Sequence, residues 1–128
     1  MRLLLDTHVL LWALTEPRRL SRKSRSAIEN RRNHLFVSSA SAWEIATKIR
    51  LGRLPRAEAL ARSLPEYVDE LGASSLPIGL DHGLLAGALE ADHADPFDRV
   101  LAAQASLEDL KIVTSDPAFE QLGATTYW

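Results

Sequence analysis

The 128-residue chain contains no cysteine, one methionine, six glycines, six prolines and only 6% aromatic residues. Zero cysteine excludes a disulfide scaffold, thiolate catalysis and cysteine-ligated zinc, so any metal must be held by oxygen or imidazole. It is compatible with a reducing cytosol, and a cytoplasmic location is expected. With 46% apolar and 25% charged residues and so little Gly and Pro, the composition excludes collagen-like and disordered chains and fits one globular domain over residues 1–128. Long hydrophobic runs are missing too. The longest stretch free of Asp, Glu, Lys and Arg is residues 33–43, far short of the roughly 18 apolar residues of a membrane span. Met1-Arg2-Leu3-Leu4-Leu5 begins like a signal peptide, but Asp6 and His8 interrupt it, and it reads as a mature first strand.

What is present is segregated charge. The net charge is only -2, yet residues 1–64 carry 13 basic and 5 acidic side chains (+8) and residues 65–128 carry 2 and 12 (-10). Such a chain can offer a positive face to phosphates and a negative pocket to cations. Seven Lys or Arg fall between Arg18 and Arg32, either a contact for a nucleic-acid backbone or a solvated helix face.

Short apolar runs at residues 3–5, 35–38, 75–78 and 111–114, with a further short strand at 125–127, alternate with helical patterns. The alternation predicts an α/β fold with a parallel sheet covered on both faces. Helices are expected at about 7–14, 21–32, 40–51, 57–71, 81–91 and 96–110. Pro65 splits or kinks the fourth, and Pro17 blocks continuation of the first. In the third, Ala42, Ile45, Ala46 and Ile49 make one apolar stripe, and Gly52 is its natural C-terminal stop. Pro96 fits the first turn of the last, behind Asp95 as a cap.

Four acids stand at informative places. Asp6 follows the first strand, where open parallel sheets bind ligands at the carboxyl edge; it could equally cap the helix starting near Thr7. Asp116 repeats the arrangement after Lys111-Ile112-Val113-Thr114-Ser115, with a cap before Pro117 as its alternative. Glu44 lies among Trp43, Ile45 and Ala46, where an unpaired charge is costly; a capping box with Ser41 or an ion pair with Lys48 would also explain it. Asp98 opens an almost uncharged helix, where it complements the helix dipole or points at a ligand. Carboxylates that converge repel one another unless a divalent cation neutralises them, and a few hard oxygens suit Mg²⁺ or Mn²⁺.

The segments Leu4-Leu5-Asp6-Thr7-His8-Val9-Leu10-Leu11-Trp12, Val37-Ser38-Ser39-Ala40-Ser41-Ala42-Trp43-Glu44-Ile45-Ala46, Asp95-Pro96-Phe97-Asp98-Arg99 and Val113-Thr114-Ser115-Asp116 resemble PIN-domain nucleases, specifically VapC-type toxins of bacterial toxin-antitoxin pairs. Four motifs in the family's order along the whole chain make the resemblance specific. It implies a three-layer α/β/α fold with a central parallel sheet of four or five short strands. It also implies a metal-dependent endoribonuclease in which Asp6, Glu44, Asp98 and Asp116 hold one or two Mg²⁺ or Mn²⁺ ions and an activated water cuts RNA, leaving a 5′-phosphate. Asp95 is then a helix cap or an outer partner of the site, and Thr7 and Thr114 or Ser115 support the carboxylates. Arg99 would meet a phosphate or pair with a carboxylate. The resemblance further implies a homodimer and a cognate VapB-type antitoxin, lying in a groove that Val9, Leu10, Leu11, Trp12 and Trp43 either line or close as core. His93, like His8, His34 and His82, is read as structural rather than as a ligand, because imidazole suits Mg²⁺ poorly.

Two rival readings remain. An aspartyl-phosphate phosphohydrolase would use Asp6 as nucleophile, but His8 stands where such enzymes usually carry a second Asp. A catalytically silent PIN module would bind RNA or an antitoxin-like peptide without metal-dependent cleavage.

Overall fold

The computed structural model describes residues 1–128. Its strands, β1 (Arg2–Leu5), β2 (His34–Ser38), β3 (Ala73–Leu76), β4 (Lys111–Val113) and β5 (Thr126–Tyr127), form one parallel sheet in the order β3-β2-β1-β4-β5. The helices are α1 (Thr7–Thr15), α2 (Arg22–Glu29), α3 (Ser39–Arg50), α4 (Glu58–Arg62), α5 (Leu64–Glu70), α6 (Leu80–Ala88), α7 (Pro96–Glu108) and α8 (Ala118–Gln121).

β1 is the central strand, and its side chains alternate between two cores, as the strand's period of two requires. Leu3 and Leu5 join Val9 and Leu10 of α1, Ala27 and Ile28 of α2, and Leu64 and Val68 of α5. Leu4 joins Ala40 of α3, Leu101 and Ala105 of α7, Ile112 and Phe119 on the other face. The result is the expected three-layer α/β/α arrangement. All three leucines are fully buried, each worth about 1.5–3 kcal/mol relative to exposure.

Local chemistry sets the boundaries. Pro17 ends α1 and opens a turn of 3-10 helix, Pro17–Arg19. Pro65 lies in the first turn of α5, so residues 57–71 form two helices rather than one. β3 lies two residues earlier than the apolar run 75–78, because Pro77 has no N–H to continue a ladder. Gly52, at φ +70°, closes α3 as expected; its N–H donates to the Ile49 carbonyl and that of Arg53 to the Lys48 carbonyl, at 3.0 and 2.8 Å.

The face that α3 buries differs from the expected stripe. Ala42 and Ala46 are exposed, whereas Ser41, Glu44 and Ile45 are buried. Two polar contacts turn the helix this way: Thr7 Oγ1 donates to Ser41 Oγ at 2.9 Å, and Lys48 holds Glu44. Satisfied polar groups can be buried, and small alanines lose little by exposure.

Strand order reverses between β1 and β4: the chain moves from β1 to β2 and β3 on one side and places β4 and β5 on the other. Such a switch point leaves a crevice at the carboxyl ends of the strands. Asp6 sits there, its N–H donating to the Val113 carbonyl at 3.2 Å.

Candidate metal centre

Three of the four expected acids lie near enough at this crevice to act on one another's charge. Asp6 follows β1, Glu44 lies in the second turn of α3 after β2, and Asp98 lies in the first turn of α7. The charge of Glu44 acts on Asp6, and the charges of Asp6 and Glu44 both act on Asp98. Burial is the main cause that lifts the Asp6 carboxyl above its ordinary value, opposed by the Thr114 hydrogen bond and by His8, and reinforced by Glu44. Asp98 is pushed up to about 6, again mainly by burial, with Asp95, Asp6 and Glu44 adding repulsion against the His93 hydrogen bond.

One pattern is common to the three. Each carboxylate is anchored through one oxygen by a donor from its surroundings. Thr114 Oγ1 donates to Asp6 Oδ2 at 2.8 Å, the Lys48 ammonium holds Glu44 Oε2, and His93 Nε2 meets Asp98 Oδ2 at 2.8 Å. The other oxygens of Asp6 and Glu44 are less well satisfied. Glu44 Oε1 is buried with no hydrogen-bond partner, and Asp6 Oδ1 has only a long contact of 3.4 Å from the His8 N–H. A buried, orphaned carboxylate oxygen is costly without a cation, so this donor set fits a divalent ion with oxygen ligands. Hydrogen bonds of this kind are what orient carboxylates in metal sites.

Aromatic packing joins two of the helices that carry these carboxylates. Trp43 and Phe97, the residues immediately before Glu44 and Asp98, meet edge-to-face with ring centroids 4.6 Å apart. Beyond this contact Trp43 remains 53% exposed.

Asp116 takes a different place. Its carboxylate is exposed and accepts the Ala118 N–H at 2.9 Å, while its own N–H donates to Thr114 Oγ1 at 3.0 Å. It does not figure among the main charges acting on Asp6 or Asp98. The Thr114 hydroxyl therefore links Asp6 to the backbone of Asp116, and the Asp116 side chain serves as a local cap.

The supporting residues follow the sequence in part. Asp95 is the cap expected of it, accepting the Phe97 and Asp98 N–H groups at 2.9 and 3.2 Å. Thr114 supports a carboxylate, while Thr7 instead bonds Ser41. The capping box of Ser41 with Glu44 does not form: Ser38 caps α3, and Glu44 pairs with Lys48. Arg99 pairs with no carboxylate. Its guanidinium donates to the carbonyls of Ala86, Leu89, Ala91 and His93, tying down the loop between α6 and α7. His93 is the residue whose place the sequence undervalued, because a loop position carries no periodicity that would point it at Asp98.

Val9 and Leu10 are wholly buried and belong to the core rather than to a groove, whereas Leu11 and Trp12 are half-buried. Within the basic segment, Arg19 pairs with Glu16 and lies over Trp12, Arg25 pairs with Glu29, and Lys23 lies over Tyr127. Arg31 and Arg32 enter β2 at the sheet edge opposite the carboxylates. There Arg32 lines a shallow cleft of about 580 Å³ with Arg2, His34 and Lys111.

Asp81, His82 and Glu108 bring ligand atoms within 4.8 Å of one another, ten residues or about 15 Å along α7 from Asp98. His82 Nδ1 accepts the Gly79 N–H at 2.8 Å, so Nε2 carries the proton directed at Glu108 Oε1, 2.9 Å away. That ring has no free lone pair for a metal, and the group is a lock between α6 and α7.

Comparison with known proteins agrees with the fold. The PIN domain profile matches residues 3–124. Ribonuclease VapC22 of Mycobacterium tuberculosis (strain ATCC 25618 / H37Rv) is 30% identical over 116 residues, covering 88% of this chain and 85% of that protein. Ribonuclease VapC16 of the same organism is 40% identical over 60 residues, 47% of this chain, and the match spans only 41% of that protein. Among solved structures, that of VapBC2 from Rickettsia felis bound to a DNA fragment from their promoter superposes with a TM-score of 0.69 at 14% identity, covering 98% of this chain and 96% of that one. With a profile match across nearly its whole length and the acids at the sheet's switch point, this chain belongs to the PIN-domain family.

Proposed function

We propose that residues 1–128 act as one PIN-domain unit, a VapC-type toxin that cleaves RNA internally by metal-dependent hydrolysis. The observation that carries this reading is the convergence of Asp6, Glu44 and Asp98 in the crevice, with Glu44 Oε1 buried and unpartnered. The ribonuclease name of VapC22, similar over most of both chains, supports the substrate class. Mg²⁺ or Mn²⁺ is the cofactor that such a set of oxygens suits.

When bound, the ion would lower the pKa of the attacking water, polarise the scissile phosphate and offset charge on the departing 3′ oxygen. Asp6, Glu44 and Asp98 would hold it, while the Asp116 carboxylate accepts the Ala118 N–H. Thr114, Lys48 and His93 keep the three carboxylates aimed, so that they need no reorganisation when substrate arrives. Asp95 caps α7 and fixes the direction of its first turn, while Arg99 holds the loop that carries His93. No side chain is needed as a covalent nucleophile.

For partners we propose RNA as substrate, a VapB-type antitoxin and a second copy of the chain, with action in the cytoplasm. No helix is long and apolar enough to cross a membrane. The VapC names of the relatives support the antitoxin. Leu80 and Leu84, 90% and 77% exposed one turn apart on α6, support a protein contact.

The test is cleavage of total cellular RNA by the wild type and its Asp6→Asn and Asp98→Asn variants, with Mg²⁺, Mn²⁺ or EDTA, and cut ends mapped by sequencing. Discrete cuts with 5′-phosphates, lost in EDTA and in both variants, are expected. Metal-loaded, folded protein that binds RNA without cutting it would favour a silent PIN module, and cutting that survives both variants would refute the site.

A further inference from the structure

Among the three groups that anchor the carboxylates, Thr114 is neutral and His93 needs only a ring N–H to donate. Lys48 alone brings an ammonium. Its ammonium sits on Glu44 Oε2 in a pair whose side chains are 27% and 4% exposed, so the contact is well shielded from solvent. An exposed i,i+4 pair of this kind is worth little, and it would not leave the second oxygen of its acid buried without a partner, as Glu44 Oε1 is.

The position of Lys48 is also fixed from the backbone. The Lys48 carbonyl accepts the Arg53 N–H in the turn closed by Gly52, and Glu44 lies one helical turn before it. The ammonium therefore cannot drift away without unwinding the end of α3 or abandoning a buried carboxylate.

We propose that Lys48 is a charge-setting, positioning residue of the metal cradle: it restrains Glu44 to ligation through Oε1 alone and weakens the cradle's hold on a divalent cation. The inference rests on the metal-centre reading above. Two consequences follow from the electrostatics. Without an ion, the ammonium offsets part of the repulsion among the three carboxylates, two of them buried, so the cradle is assembled before metal arrives. With an ion, the same positive charge repels it at close range in a low-dielectric crevice, where such repulsion is poorly screened. A cation held less tightly retains more attraction for a phosphate oxygen and exchanges more freely.

A merely structural Lys48 predicts the opposite sign. Loss of a side chain that only ordered Glu44 would loosen the cradle and weaken metal binding.

The experiment is Mn²⁺ titration of the intact protein at fixed pH 7.5, following free Mn²⁺ by electron paramagnetic resonance, with circular dichroism to verify the fold. Lys48→Met removes the charge at similar length, Lys48→Gln is a second neutral variant should the first not fold, and Lys48→Arg keeps the charge. The neutral variants should bind Mn²⁺ about tenfold more tightly than wild type, and Lys48→Arg within about threefold of it. Their metal-free forms should melt at lower temperature than the metal-free wild type. Equal or weaker Mn²⁺ binding by a folded neutral variant overturns the proposal. Asp6→Asn separates the two readings. If wild type binds no Mn²⁺, or Asp6→Asn binds it equally well, the metal-centre reading fails and takes this inference with it. If binding is lost in Asp6→Asn but not tightened in Lys48→Met, only the inference fails.

Discussion

Thr114 Oγ1 donates a 2.8 Å hydrogen bond to Asp6 Oδ2, joining residues 108 positions apart at the ends of two adjacent strands. The same hydroxyl accepts the Asp116 N–H, so its one proton is committed to the carboxylate. A neutral residue thereby fixes the Asp6 carboxylate through Oδ2.

Thr114→Val keeps the shape and removes the hydroxyl. Asp6 then loses the largest of the influences that hold its carboxyl down, and metal affinity should fall about tenfold, within the range for partners that orient ligands. Mn²⁺ titration at pH 7 checks this, and unchanged affinity would show that the hydroxyl only satisfies the fold.

The elevated Asp98 carboxyl predicts how stability responds to pH. Its value in the folded chain, about 6, lies above the ordinary 3.8, so the folded state binds the proton more tightly than the unfolded state. The associated stability is full below the ordinary value and is lost as pH rises through about 6. A divalent ion needs the ionised carboxylate and reverses this loss. The rise in melting temperature produced by Mn²⁺ should therefore be small at pH 5 and larger at pH 7.5. An increment independent of pH across that window would contradict the arrangement.

Arg99 donates to four carbonyls between Ala86 and His93. The Arg99→Met variant should lose about 2–3 kcal/mol, since charged donors make the stronger hydrogen bonds. Lysine should not restore it, because one ammonium cannot reach carbonyls that a planar fork spans. Urea denaturation gives the stability, and limited proteolysis should show faster cutting between residues 89 and 95. A variant of wild-type stability would mean that the loop is held by other contacts.

Asp116 offers a test of which acids are essential. The Asp116→Asn variant keeps an oxygen to accept the Ala118 N–H and should retain RNA cleavage within about tenfold of wild type. Asp6→Asn and Asp98→Asn should each lose at least about a hundredfold, beyond the cost of removing an outer partner. Equal losses at all three would make Asp116 a ligand of the same rank.

Much of the architecture was legible because local rules and global packing agree here. The apolar runs around Leu4, Phe36 and Ile112 are short and buried on both faces, which only a covered parallel sheet permits. Helix ends were legible where one residue imposes them: Pro17, Gly52, Pro65 and Pro96 act through their own backbone geometry. The helix α8 was legible only at its start, from Asp116 before Pro117, since four residues carry no period, although its Phe119 is almost wholly buried.

The face of α3 shows where periodicity misleads. Ala42 and Ala46 form a stripe on paper, but burial goes to the face whose polar groups find partners, Ser41 with Thr7 and Glu44 with Lys48. Glu44 thereby turns inward to the crevice, and the sequence contained only the ion pair that makes this possible.

The sequence by itself determined the elements, their order and which carboxylates end a strand or begin a helix, because those are properties of neighbours along the chain. Only the tertiary structure decided that Asp6, Glu44 and Asp98 feel one another's charge while the Asp116 side chain turns to cap its own turn, and that His93 belongs with Asp98 and Arg99 with the loop. Convergence across 92 residues depends on the reversal of strand order beside β1 and on how far each helix rotates as it packs. Those are set by the sum of many contacts, and no local pattern in the chain encodes them.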